Sequence, residues 1–169
     1  MPAERAVDLA TLLVEQPEVV PAGLGARDSL RLEAGLCLYG NDIDEVTTPV
    51  EAGLTWVIGK RRKLAWDFPG GAAIRDQLDN GAPRLRVGIR PDGRALARAG
   101  TTIATAADGT AAGSVTSGGF GPSLNAPIAM GYVRRDLAAD GTKLSLLVRG
   151  KHLPATVAPM PFVPHRYAR

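Results

Sequence analysis

From about residue 84 onward the chain is built of short apolar runs separated by turn dipeptides, and that rhythm limits the folds open to it. Leu85, Val87 and Ile89 alternate with polar residues or glycine, as a strand with one buried face requires. Further short runs follow at 102–105, 113–116, 128–133, 143–148 and 153–157. Between them lie Asp92-Gly93, Asp108-Gly109 and Asp140-Gly141. Such pairs suit tight turns because glycine takes positive φ at no steric cost. With 20 Gly and 13 Pro in 169 residues, the pattern favours strands and turns over a helix bundle. An antiparallel sandwich or small barrel is expected there.

The first 83 residues read differently. Ala6, Leu9, Ala10, Leu12 and Leu13 recur at helical spacing, predicting an amphipathic helix over Glu4 to Gln16 that ends before Pro21. A second helix is expected from Asp28 to about Ala34, capped by Asp28 or Ser29 and stopped at Gly35. Leu54 to Ile58 reads as a strand, and Ala72 to Leu78 as a short helix stopped by Asn80-Gly81. The expected fold class is therefore α+β.

Composition narrows the partners. The net charge is +3, but the basic residues are scattered and aromatics make up only 5%, so nucleic-acid binding is not expected. No apolar run reaches the length of a membrane span, so no membrane partner is expected. Cys37 is the one cysteine. It excludes an internal disulfide, favours a reducing compartment, and reads as a small core residue between Leu36 and Leu38. His152 and His165 lack a second ligand at metal-binding spacing, so no metal site is expected. The GGFGPSLN run at 118–125 lacks the Gly-Lys-Ser/Thr ending of a phosphate loop and reads as a turn between strands.

The chemistry concentrates between residues 23 and 62. Glu33 sits among Leu30, Leu32 and Ala34. A carboxylate there either faces solvent or is kept for a purpose, because an unpaired buried charge is costly; Arg27 and Arg31 are candidate structural partners. Gly59-Lys60-Arg61-Arg62 could grip a carboxylate or phosphate, or form a solvated cationic loop.

Four segments carry a resemblance. DSLRLEAGLCLYGNDIDEVTTPVEAGLTWVIGKRR at 28–62, FPG at 68–70, VTSGGFGPSLNAPIAMGYV at 115–133 and MPFVPHRY at 160–167 together resemble the T-proteins of the glycine cleavage system, the aminomethyltransferases. The resemblance implies tetrahydrofolate bound in the middle of a three-domain, ring-like body. It implies an aminomethyl group taken from the lipoyl arm of the H-protein, a one-carbon unit passed to tetrahydrofolate, and ammonia released. Carried over by position, Glu33 is a ligand of the folate pterin. Arg62 contacts the cofactor or its glutamyl tail, and Tyr167 lies where the family has a third contact. Residues 1–83 then form the C-terminal part of the folate-binding core, and residues 84–169 an antiparallel β-barrel or jelly-roll-like domain.

Family members are longer, and their N-terminal half carries a catalytic aspartate. No residue here matches that role; Asp42 and Asp44 match structural positions. The chain alone is therefore expected to be inactive, to need that N-terminal half as a partner, and to expose apolar surface that promotes self-association. The compartment is the cytoplasm in a bacterium or the mitochondrion in a eukaryote. The alternative is a folate-binding or interaction module without transferase chemistry, or a β domain with neither. Folate proteins of iron–sulfur assembly, or fused to oxidases, share the architecture, but RLEAGLCLYG and PFVP favour the transferase.

Overall fold

The structure, a computed structural model, describes residues 2–166. Six antiparallel strands close into a barrel: β1 (Arg84–Pro91), β2 (Thr102–Thr105), β3 (Ala111–Gly121), β4 (Ala126–Arg134), β5 (Lys143–Val148) and β6 (Lys151–Ala158). Their order around the barrel is β1-β4-β3-β2-β5-β6. The register of β1 shows how closure works. It pairs along β4 from Arg84↔Arg134 to Ile89↔Ala129, and its second half pairs with β6 from Gly88↔Ala158 to Pro91↔Ala155. No edge is left unpaired, which removes a template for aggregation.

Alternation turns one side chain in two inward. Val87, Ile89, Ile103, Val115, Val133, Leu144, Leu146 and Val157 form the barrel core. Two register shifts interrupt the ladders, one between Ile103 and Ala104 and one between Val115 and Ser117. The second places Thr116 at a bulge. A bulge re-aims side chains, so neighbours that would face opposite ways can serve one partner.

Four helices precede the barrel: α1 (Ala6–Val14), α2 (Leu24–Glu33), α3 (Lys60–Ala65) and α4 (Gly71–Asn80). Only α2 among them packs broadly on the barrel, against β3 and β4. Its Leu32 joins Ile128, Met130, Ala158 and Phe162 in a second apolar cluster outside the barrel. Further on, Thr48 and Glu51 cap each other's backbone: the Thr48 N–H donates to Glu51 Oε2 at 3.0 Å and the Glu51 N–H to Thr48 Oγ1 at 3.1 Å. The Arg84 guanidinium at the start of β1 closes on Glu51 Oε1 at 2.9 Å.

The expected α+β class and the barrel stand, and the barrel is fully closed. Three local readings change. The second helix begins at Leu24, with extended Gly23 as its N-cap. Asp28 and Ser29 do not cap it, because Asp28 pairs with Arg31 and the Ser29 hydroxyl donates back to the Gly25 carbonyl. Leu54 to Ile58 is not a strand; Thr55–Val57 forms a single 3-10 turn. Among the described residues no strand pairs with it, and β-branched residues make a strand only where a ladder exists. Finally, Gly118–Gly121 belongs to β3 itself, and the turn is confined to residues 122–125.

Candidate functional site

Glu33 is the last residue of α2. The helix ends in a Schellman motif: the Leu36 N–H donates to the Arg31 carbonyl at 2.9 Å and the Gly35 N–H to the Leu32 carbonyl at 3.0 Å. Gly35 takes φ +67°, as that cap demands. A carboxylate in the last turn sits at the negative end of the helix dipole, an unfavourable place. This one is also only 3% exposed.

Ser123, in the β3–β4 turn, compensates. Its N–H donates to Glu33 Oε1 and its hydroxyl to Oε2, each at 2.7 Å. Gly121 permits the approach, since a Cβ there would stand 3.1 Å from Glu33 Oε1. The Val163 N–H donates to the Glu33 carbonyl at 3.1 Å and ties the C-terminal segment to the same point. Glu33 thereby lines a cavity of about 300 Å³ with Leu30, Ala34, Val163 and Pro164, and with His165 and Arg166 on its polar side. Each Glu33 oxygen holds one bond and keeps a second acceptor direction. A buried, pre-oriented acceptor pair beside an apolar wall suits a planar heterocycle that presents adjacent N–H groups.

Arg62 lies elsewhere. It sits on α3, not in a loop, and its Nη1 donates to the Asp67 carboxylate at 2.7 Å and the Asp67 carbonyl at 3.2 Å. The guanidinium also stands 5.8 Å from the Phe68 ring centroid. Arg61 joins Asp67 at 3.1 Å from the other side. The Arg62 hydrogen bond, with help from Arg61, holds the Asp67 carboxyl below its ordinary pKa. Arg62 is not among the residues that line the Glu33 cavity. Tyr167 lies outside the described residues.

Ser123 and the β3 donors to the Asp42 carboxylate had no signal at short range. Ser123 stands 90 positions from Glu33, too far for spacing to connect them. Asp42 is buried and accepts hydrogen bonds from Arg31, Thr116 and Ser117. Cys37 is half-buried, and burial pushes its thiol above the usual range despite Arg86, which fits a packed thiol rather than a nucleophile. The Tyr132 hydroxyl donates to the Asp42 carbonyl at 2.7 Å, and burial raises its pKa. His152 is bonded to the Ser145 hydroxyl at 2.9 Å. Among the described residues no group of three or more His, Cys, Asp or Glu is placed to hold a metal ion, and no helix is long and apolar enough to cross a membrane.

Known proteins align with this chain end to end. The glycine cleavage T-protein C-terminal barrel domain matches residues 84–164, and the GCVT N-terminal domain matches residues 1–62. The mitochondrial aminomethyltransferase of Gallus gallus is 56% identical over 167 residues, covering 99% of this chain and 42% of that protein. The Homo sapiens enzyme is 53% identical, over 99% of this chain and 41% of its own length. The crystal structure of glycine cleavage system aminomethyltransferase T from Bartonella henselae superposes with a TM-score of 0.92 at 44% identity. It takes in 100% of this chain and 46% of that one. The chain thus spans about two-fifths of the length of the curated relatives it matches.

Proposed function

The chain belongs to the glycine cleavage T-protein family, and on that premise we propose that it supplies part of a tetrahydrofolate-dependent aminomethyltransferase. The observation that carries this reading is the buried Glu33 carboxylate, held by Ser123 at the edge of a cavity. Its free acceptor directions take a ring N–H and the exocyclic amino group of the pterin, a charge-assisted pair that fixes the ring plane. Leu30 and Val163 supply apolar faces beside that plane.

Tetrahydrofolate supplies the nitrogens that accept the one-carbon unit. The aminomethyl group arrives on the lipoyl arm of the H-protein, the partner in this reading, and leaves behind the reduced arm and ammonia. The role of Glu33 is orientation. Holding the acceptor in one pose removes entropy that would otherwise sit in the barrier. Arg62 is solvent-accessible and already binds a carboxylate, which suits the anionic glutamyl tail better than the pterin. By family position Tyr167 is assigned as a third contact. Residues 1–83 contribute the folate-facing elements and residues 84–169 the barrel domain.

These 169 residues alone contain no group in the role of the family's catalytic aspartate, and by themselves they do not turn over. In this reading the N-terminal half of the family's fold supplies the opposite wall of the site. In a eukaryote the compartment is the mitochondrion, the location in the relatives' names; in a bacterium it is the cytoplasm. Calorimetric titration with tetrahydrofolate tests the site: binding is expected, and Glu33→Ala is expected to abolish it. Absence of any binding heat would overturn the folate assignment. Ammonia release from aminomethylated H-protein is expected only when a separately produced N-terminal half is added. Folate binding without turnover in that mixture would instead identify a binding module.

A further inference from the structure

We propose that Asp42 is a positioning residue that sets the orientation of Glu33 by gripping the opposite flank of α2. The proposal rests on the reading that Glu33 receives the ligand. Asp42 lies nine positions after Glu33 in the loop that follows the helix, and its side chain is 0% exposed. Its carboxylate accepts four hydrogen bonds. Arg31 Nη1 donates at 2.6 Å, the Leu38 N–H at 2.9 Å and the Ser117 hydroxyl at 2.8 Å, all to Oδ2; the Thr116 hydroxyl donates to Oδ1 at 2.5 Å. Three donors therefore crowd Oδ2 and one holds Oδ1, so both oxygens of the carboxylate are held in place.

The donors come from three places: the last turn of α2, the loop after it, and strand β3. Thr116 and Ser117 are adjacent, and in a regular strand their hydroxyls would face opposite ways. The bulge between Val115 and Ser117 is what lets both reach one carboxylate. Arg31 and Glu33 are two positions apart on α2, so their side chains leave different flanks of the helix. One flank is held through Asp42 to the middle of β3. The other is held by Ser123 in the turn at the end of that strand. A helix end fixed at one point can still roll about its axis; fixed on both flanks to one strand, it cannot. A buried ion pair contributes little net stability, and its better-attested role is to select one arrangement. Here the arrangement selected is the one that presents Glu33 to its cavity.

Amide hydrogen exchange on the whole chain tests this without any ligand. The Ser123 amide reports the Glu33 contact, and the Leu146 amide in the barrel reports global opening. Asp42→Asn, which removes the charge and turns one acceptor oxygen into an NH2 donor, is expected to lower Ser123 protection about tenfold more than Leu146 protection, because it weakens one local attachment. Ile103→Val, a barrel-core change, is expected to lower both in equal proportion. Ser117→Ala removes one donor of the four, serves if Asp42→Asn does not fold, and is expected to shift Ser123 the same way by a smaller factor. A proportional fall at both amides in the Asp42 and Ser117 variants would overturn the proposal, as would an unprotected Ser123 amide in the unsubstituted chain. Tetrahydrofolate titrated into the same proteins separates the two readings: weakened affinity in Asp42→Asn supports the positioning role. Lack of binding by the unsubstituted chain removes the folate reading, while the exchange data still decide whether Asp42 sets Glu33.

Discussion

The barrel and the first helix carry apolar patterns of similar regularity, yet they end in opposite environments. In the barrel Ile89, Ile103, Val133 and Leu146 are 0% exposed. In α1 no residue is buried, and Val7 and Leu12 are 74% and 57% exposed. Periodicity states which face of an element is apolar. Only a second surface, supplied by the rest of the fold, turns that face into a core. The barrel provides its own by closing on itself, whereas α1 finds none among the described residues.

The sharpest way to break this comparison is by truncation. Leu146→Ala is expected to cost about 2–5 kcal/mol in denaturant unfolding, because a cavity opens among immobile neighbours. Leu12→Ala is expected to stay within about 0.5 kcal/mol. Equal costs would mean that α1 is covered in solution. Next is the junction between the two regions: Ser123→Ala leaves the buried Glu33 carboxylate short of a hydroxyl donor, and should cost about 1–3 kcal/mol in the same unfolding experiment. An unchanged midpoint would show that the α2 contact with the barrel is not under load.

A weaker effect concerns association. Replacing Leu9, Leu12 and Leu13 together by serine is expected to lower the apparent mass by light scattering, since the exposed apolar face is removed without touching the core. A clean monomer before substitution would contradict this. The smallest effect is electrostatic. Asp67 is held below its ordinary pKa of 3.8, first by Arg62. A depressed folded-state pKa means that the clasp contributes fully above 3.8 and is lost as pH falls through the lower folded value. Arg62→Gln should move the Asp67 carboxyl titration upward toward 3.8 by NMR. Asp108, held at about 2 chiefly by the Thr105 hydroxyl, should not move.

The strands were largely legible. Alternation and Asp-Gly turns locate β2 and β5 to the residue, and glycines at 93, 109 and 141 all take positive φ. Helix α2 was placed correctly at its end, because Gly35 is a local stop signal, and misplaced at its start, because a glycine cap resembles a loop. Leu54 to Ile58 failed as a strand for want of a ladder, which no local pattern can report. Glu33 stood out as a carboxylate among apolar residues, and its family position lent it a role; Arg62 was found by the same route, but the fold sets it against Asp67, away from the Glu33 cavity.

By itself, then, the order of residues determined the α+β class, the strand ladder, the stop at Gly35 and the family. Closure of the barrel, the pairing of Glu33 with Ser123, and the convergence of Arg31, Thr116 and Ser117 on Asp42 were decided only in three dimensions. The reason is range. Local propensity and turn chemistry act over a few residues and are written in each short window. A buried carboxylate is satisfied by whatever donors the topology brings to it; Thr116, Ser117 and Ser123 come from 74 to 90 positions away, and no short window contains those pairs.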